Sequence, residues 1–157
     1  MTAGNGSGLN DGDAALLVAS ERAVERYSSA PIAEVLVGAT AGVPPRIMDI
    51  GPVPASRRVM DRLELRIIDF GVIELIEAFA AQSLAFRRQR GLPDDANFVN
   101  PNGGAIALGH PLVASGARLA LTATTNLGER DFDCVHEVYS PLDRQAASTT
   151  QTGAWYR

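Results

Sequence analysis

His110 is the residue whose type and neighbours most directly suggest chemistry. It lies between Gly109 and Pro111, at a predicted turn that leads into a helix. Glycine leaves room for a ligand near the backbone, and proline suits the first turn of a helix because it lacks an N–H group. A neutral imidazole there can donate a hydrogen bond to a developing oxyanion or accept a proton from a thiol. A histidine that only completes the turn is the other interpretation, and spacing alone does not separate the two.

Two further pairs of side chains have reactive types. Glu74 and Glu77 flank the end of a predicted strand, where paired carboxylates can share acid and base roles. We favour the simpler interpretation, in which Glu77 is a charge at a helix N-terminus and Glu74 is solvated. Cys134 and His136 have the types of a nucleophile and its base. Because no glycine opens the chain around Cys134, we favour a small packed or surface cysteine.

Two other kinds of site are disfavoured by spacing. Residues 103–109, GGAIALG, are rich in glycine, but they match neither the dinucleotide fingerprint nor the phosphate loop. Two histidines and one cysteine in the whole chain give no metal-ligand pattern. We therefore expect neither a nucleotide bound by those routes nor a metal ion.

Alternating strands and helices must position these residues. Apolar runs and β-branched residues predict strands at 14–19, 33–39 and 72–76, with a short strand inside 97–111. Caps, prolines and charge placement predict helices that begin at Ser20 and Pro52 and others that span 77–90 and 112–127. The predicted buried faces of the first two helices are Ala23, Val24 and Tyr27, and Val59, Met60 and Leu63. This order of elements predicts an α/β layer structure.

Composition excludes several classes of protein. The chain has 157 residues, 46% of them hydrophobic and 20% charged, which suits one globular domain. A net charge of −4 disfavours nucleic acid as a partner, and no apolar run is long enough to predict a membrane span. A single cysteine and an N-terminus without signal-peptide features lead us to expect a cytoplasmic location.

Four segments in order give the sequence a resemblance to a known family. They are TAGNGSGLNDG (2–12), GPVPASR (51–57), IELIEAFAAQSLA (73–85) and NPNGGAIALGHPLVASGAR (100–118). Together they resemble the thiolases, the β-ketoacyl-CoA thiolases and acetyl-CoA acetyltransferases, over about residues 2–127. The resemblance implies an α/β fold, a thiolase-like half with a mixed sheet and helices on both faces, incomplete at its C-terminus. We expect a C-terminal-domain-like body over residues 1–127 and a divergent, loose tail over 128–157.

The resemblance also implies an activity and a set of site residues. Thiolases transfer acyl groups between coenzyme A and an enzyme cysteine, by thiolysis of 3-ketoacyl-CoA or by Claisen condensation. The nucleophilic cysteine lies in the earlier half of the family, and the histidine that activates it matches His110. We expect Gly103, Gly104 and Gly109 to shape the coenzyme A-binding loops around that histidine. Coenzyme A thioesters are then substrates, and no permanently bound cofactor is expected.

Three positions depart from the family pattern. Where the family has an asparagine that holds an oxyanion-hole water, this sequence has Ile76, and loss of one such donor typically costs about 10²–10³ in rate. Val113 stands where the family has a small residue, and we expect it to crowd the floor of the site. Cys134 lacks the glycine-rich context of the family's second catalytic cysteine, so we do not assign it that role.

These departures leave three hypotheses. The chain is an acyltransferase part that needs a separate thiolase N-terminal half; it is a non-catalytic module that binds coenzyme A or forms dimers; or it is a truncated remnant without activity. The expected partners are acyl-CoA and CoA, together with a second copy of the chain or a separate N-terminal half. Nucleic acid and membranes are not expected partners.

Overall fold

A computed structural model describes residues 2–130, 134–139 and 149–156. The helices are α1 (Glu21–Tyr27), α2 (Pro52–Leu63), α3 (Ala80–Gln89), α4 (Ala105–Leu108) and α5 (Ser115–Arg130). The strands are β1 (Glu34–Gly42), β2 (Val72–Leu75), β3 (Cys134–Tyr139) and β4 (Thr149–Tyr156). Short 3-10 turns at Pro45–Ile50 and Ile67–Asp69 precede α2 and β2. No helix within the described ranges is long and apolar enough to cross a membrane.

The strands form one mixed sheet in the order β1-β4-β3-β2. β4 runs antiparallel to both of its neighbours, whereas β2 and β3 run parallel. Val99 adds a parallel bridge to Ile73, outside β2. The α/β fold with a mixed sheet, predicted from the sequence, is therefore confirmed.

Helices cover both faces of this sheet because successive side chains of a strand point to opposite faces. On one face, the main core joins Ile73 and Leu75 of β2 to Val59 and Met60 of α2. On the other face, a smaller cluster joins Ile76 to Leu119 of α5 and to Ala105. Strand β2 is buried along its whole length, and the residues that follow it lie beside the candidate site.

Local chemistry explains where α1 and α2 form. Ser20 accepts a hydrogen bond from the Ala23 N–H and caps α1, as predicted. Helix α2 begins at Pro52, also as predicted. Its Arg58 and Arg62 donate to the backbone carbonyls of Thr40 and Gly38 and tie the helix to β1.

Two predicted strands are wrong, and one predicted helix begins later than expected. Residues 14–19 form no strand and are mostly exposed, with Leu17 95% exposed, because nothing in the described ranges pairs with them. Residues 105–108 form the short helix α4 and not a strand. Helix α3 begins at Ala80, since Glu77 has φ +58° and therefore cannot belong to a right-handed helix.

The predicted buried faces are confirmed for α2 and wrong for α1. Val59 and Met60 are buried and Leu63 is partly buried, because α2 packs on the sheet. Tyr27 is 70% exposed and α1 buries no residue, since it lies away from the sheet. The last helix begins at Ser115, three residues later than expected, after a turn that follows Pro111.

Two strands lie within residues 128–157, where we expected a loose tail. β3 pairs with β2, and β4 joins β3 to β1, so residues 149–153 are part of the sheet. Residues 144–148 lie outside the described ranges. The division of the chain at residue 127 into a body and a divergent tail stays a prediction.

Candidate active site

The backbone of His110 is held by the N-terminal segment of the chain. The His110 N–H donates to the Gly8 carbonyl at 3.0 Å and to the Asn10 Oδ1 at 3.2 Å. Leu9 forms an isolated parallel bridge with His110. Residues 8–10 therefore fix the position of a histidine that lies a hundred residues later in the sequence.

The imidazole of His110 is held from a second side. Its Nδ1 lies 2.7 Å from the Ser115 Oγ, in the first turn of α5. The residue is only 3% exposed and Ser115 only 1% exposed, so this contact is protected from water. Burial, and secondarily the positive charge of Arg118, lower the pKa of His110 below its ordinary value. The ring is therefore kept neutral, the form that can accept a proton.

This lowered pKa predicts that acid weakens the fold. The unfolded chain binds a proton at the ordinary imidazole pKa, about 6.5, whereas folded His110 binds it only at lower pH. The unfolded state then holds more protons, so the free energy of unfolding falls as pH drops below about 6.5. Urea unfolding between about pH 8 and pH 5 would measure this slope, and His110→Gln is expected to make it shallower. An unchanged slope in His110→Gln would contradict the assignment.

The three glycines predicted around the site have different physical roles. Gly103 and Gly109 have φ +93° and φ +94°, which side chains rarely tolerate. A Cβ on Gly109 would also lie 2.5 Å from the Asn10 Oδ1. A Cβ on Gly104 would lie 2.6 Å from the Asn100 Nδ2 and would collide with the carboxylate of Glu77. Polar side chains of this chain therefore approach Gly104 and Gly109 closely, and the part of these glycines in binding coenzyme A stays a prediction.

A polar network supports the loop before His110. The Glu77 Oε1 accepts a hydrogen bond from the Ser83 Oγ at 3.2 Å and lies 3.8 Å from the Arg87 Nη2. Arg87 in turn donates to the carbonyl of Asp94 at 2.9 Å. Glu77 thus joins the loop at Gly104 to α3, a role different from the helix N-terminal charge that we expected.

Asn100 completes the edge of β2. Its Oδ1 accepts from the Leu75 N–H at 2.6 Å, and its Nδ2 donates to the Leu75 carbonyl at 2.8 Å. The backbone pairing that ties Ile73 to Phe98 and Asn100 is in this way continued by a side chain. Asn100 has φ +51°, a left-handed conformation that asparagine tolerates better than most residues.

Asn100→Ala is expected to destabilise the fold by about 2 kcal/mol, because Leu75 is fully buried and both of its peptide groups would lose this partner. Chemical denaturation would measure the loss. The control is Asn102→Ala, which removes a weaker 3.3 Å bond to the Asn126 Oδ1. Equal losses in the two variants would contradict the role given to Asn100.

The two carboxylates considered from the sequence are not a pair. Glu74 is fully buried, and its Oε1 accepts from the Asn126 Nδ2 at 3.2 Å, so the expectation that it is solvated is wrong. It lies on the α5 face of β2, where its neighbours are buried, whereas Glu77 bonds to Ser83. The two side chains have separate hydrogen-bond partners.

Of the pair Cys134 and His136, the structure explains the histidine. His136 is fully buried, its Nε2 lies 2.9 Å from the Ser56 Oγ, and its ring stacks on Phe70 at 4.9 Å. It therefore packs between β3 and α2. The side chain of Cys134 lies outside those that the structure describes, so the preference for a non-catalytic cysteine stays a prediction.

Two departures from the family pattern can be placed in the fold. Ile76 is fully buried and packs with Ala105 and Leu119. Val113 is 100% exposed, so within this chain it crowds nothing, contrary to expectation. Three residues that contact the site were missed from the sequence, namely Asn10, Asn100 and Ser115. All three lie in the segments 2–12 and 100–118 that carry the family resemblance, which was the signal available for them.

Comparison with known proteins identifies the family. The model of the thiolase C-terminal domain matches residues 29–137. The Escherichia coli K12 3-oxoadipyl-CoA/3-oxo-5,6-dehydrosuberyl-CoA thiolase is 60% identical over 131 residues, which are 83% of this chain and 33% of that protein. A β-ketoadipyl-CoA thiolase of Pseudomonas aeruginosa is 62% identical over 127 residues, 81% of this chain and 32% of that protein. This chain spans about a third of the length of these curated relatives.

Solved structures agree with the sequence relatives. The Bacillus anthracis acetyl-CoA acetyltransferase superposes with a TM-score of 0.89 and 34% identity, over 99% of this chain and 38% of that one. Human mitochondrial 3-ketoacyl-CoA thiolase superposes with a TM-score of 0.85 and 34% identity, again over 99% of this chain and 38% of that one. The chain therefore belongs to the thiolase C-terminal domain family, as the sequence motifs predicted.

Proposed function

We propose that this chain acts as the C-terminal half of a thiolase-type acyltransferase. The relatives that carry this domain are named as thiolases and acetyl-CoA acetyltransferases. The resemblance places the nucleophilic cysteine in the earlier half of the family, and a separate thiolase N-terminal half would supply it. The substrates would be acyl-CoA and CoA, with no permanently bound cofactor. A cytoplasmic location is part of the same proposal.

The observation that carries this proposal is the anchoring of His110. The residue is buried, bonded through its backbone to Gly8 and Asn10 and through its ring to Ser115. Such restraint from several sides suits a catalytic base, because a base contributes only when it is held in reach of its proton.

The proposed chemistry follows from a neutral, anchored imidazole. His110 takes the proton of the cysteine thiol, and the resulting thiolate attacks the thioester carbonyl of an acyl-CoA. The acyl–sulfur bond to CoA then breaks, and the departing CoA thiolate receives the proton from His110. Gly103, Gly104 and Gly109 would shape the loops on which the coenzyme A thioester lies. This step forms the acyl-enzyme; thiolysis and condensation also need a proton to be exchanged with the substrate α-carbon, a role that we assign to no residue of this chain.

One observation favours a second candidate, a module that binds coenzyme A or forms dimers without catalysis. Ile76 packs in an apolar cluster at the position where the family's asparagine holds a water. An apolar side chain cannot orient a water, so one oxyanion-stabilising group would be missing. A truncated remnant without binding or activity is the third candidate, and the experiments below separate all three.

The direct test is reconstitution with a separately expressed N-terminal half. That half is taken from the Escherichia coli relative, mixed with this chain, and assayed with 3-oxoadipyl-CoA and CoA. We expect slow thiolysis that requires both polypeptides and is lost in His110→Ala. The positive control is the same N-terminal half with the relative's own C-terminal portion. No thiolysis with this chain, beside an active positive control, would overturn the acyltransferase proposal.

Thermal unfolding with and without excess CoA separates the non-catalytic candidates. A ligand that binds only the native state raises the unfolding temperature. An upward shift that survives His110→Ala, without reconstituted thiolysis, would favour the binding module. A broad transition that CoA does not move would favour the remnant.

A further inference from the structure

The side chain of Ser115 has two neighbours that compete for its single proton. Its Oγ lies 3.0 Å from the Pro111 carbonyl oxygen and 2.7 Å from the His110 Nδ1. A hydroxyl can donate one hydrogen bond and accept others, whereas a carbonyl oxygen can only accept. The position of the hydroxyl proton therefore decides which nitrogen of the imidazole is protonated.

The Pro111 carbonyl oxygen indicates which way the two hydrogen bonds of the Ser115 Oγ run. The Ser115 Oγ donates to this carbonyl at 3.0 Å, the bond that a serine in a helix commonly makes to the carbonyl four residues earlier, and in this pair only Ser115 has a hydrogen to give. The same carbonyl also accepts the N–H groups of Ala114 and Ser115, which holds it in place at the start of α5. With its proton given to Pro111, the Ser115 Oγ can only accept from His110.

We propose that Ser115 is a positioning residue that holds the proton of neutral His110 on Nδ1. The remaining ring nitrogen, Nε2, then carries the lone pair and is the atom that accepts a proton. No hydrogen bond joins Nε2 to any other residue in the described part of the chain. The catalytic consequence rests on the proposed function, whereas the position of the proton is a property of the folded chain alone.

The test uses nitrogen-15 NMR of the full chain with labelled histidine. The sequence contains only two histidines, so two ring systems are observed, and His136→Gln assigns them. At about pH 8, where imidazoles are neutral, the protonated and bare nitrogens of a ring have well-separated shifts. We expect His110 to show protonated Nδ1 and bare Nε2. A proton on Nε2, or shifts averaged between the two forms, would overturn the proposal without any variant of Ser115.

Three variants sharpen the assignment. Ser115→Ala is expected to release the tautomer and move both His110 nitrogens toward averaged shifts, while Ser115→Thr retains a hydroxyl and restores the wild-type pattern. Ser56→Ala is the matched control, because Ser56 contacts the other histidine. It is expected to alter the signals of His136 only. A His110 spectrum unchanged by Ser115→Ala would contradict the proposal.

The outcome is independent of the acyltransferase proposal. Failure of reconstituted thiolysis alongside a wild-type spectrum with protonated Nδ1 would reject the proposed function and support the role of Ser115. Thiolysis that occurs while His110 carries its proton on Nε2 would do the reverse. In an active reconstituted pair, Ser115→Ala is expected to lower kcat about tenfold with little change in KM, because it alters proton transfer rather than binding.

Discussion

Gly109→Ala is expected to destabilise the folded chain by about 4 kcal/mol. Two separate costs contribute. The backbone at Gly109 has φ +94° and ψ 165°, a region that is essentially restricted to glycine. A new Cβ would in addition lie 2.5 Å from the Asn10 Oδ1 and 2.7 Å from its Cγ, so the side chain of Asn10 would have to move. His110 would then lose one of its two backbone anchors.

Urea unfolding measures the loss, and Gly91→Ala is the matched control. Gly91 has φ +71°, but a Cβ there would meet nothing within 4 Å. Its substitution carries only a backbone cost of about 1 kcal/mol. Equal destabilisation in the two variants would show that the contact with Asn10 contributes nothing. Gly109→Ala is also expected to abolish reconstituted thiolysis at temperatures where the variant is still folded.

Ile76→Asn is expected to raise the rate of reconstituted thiolysis about 10²-fold. The substitution supplies an amide at the position where the family holds a water for the oxyanion. It also replaces a fully buried apolar side chain that packs on Ala105 and Leu119. Burying an amide there is expected to lower the free energy of unfolding by about 2 kcal/mol. The variant should therefore be both faster and less stable.

Ile76→Val distinguishes this gain from a general loosening of the cluster. Valine removes one methylene at a cost of about 1 kcal/mol and offers no hydrogen bond. Its thiolysis rate is expected to match that of the wild type. The interpretation of Ile76 would be contradicted by equal rates in Ile76→Asn and Ile76→Val.

Elements with a strong local signal were predicted well from the sequence. Helix α2 begins at Pro52 and β2 begins at Val72, as expected, because a proline start and a short apolar run are encoded locally. The segment 14–19 has an equally apolar run but forms no strand, since a strand needs a partner and a local pattern does not report one. Glu77 was misplaced into α3 because its positive φ depends on the polar network around Gly104.

The sequence singled out the central residue of the candidate site, His110, but not the asparagines that hold the loops around it. His110 stands in a motif that local chemistry and the family resemblance both single out. Asn10 and Asn100 act through contacts that fold distant segments together, and spacing along the chain does not reveal such contacts. The close approach of Asn10 to Gly109 was missed for the same reason.

The pairing of β1 with β4 has a consequence for how the chain folds. Glu34 pairs with Tyr156 and Gly42 with Thr149, so an early strand finds its sheet neighbour near the other end of the sequence. Loop-closure entropy must be lost before so distant a contact forms, and folding rates fall as such contacts dominate. During synthesis β1 leaves the ribosome well before β4. It therefore lacks this sheet neighbour until β4 has also been synthesised. We therefore expect late, slow completion of the sheet, with β1 exposed to chaperones in the meantime.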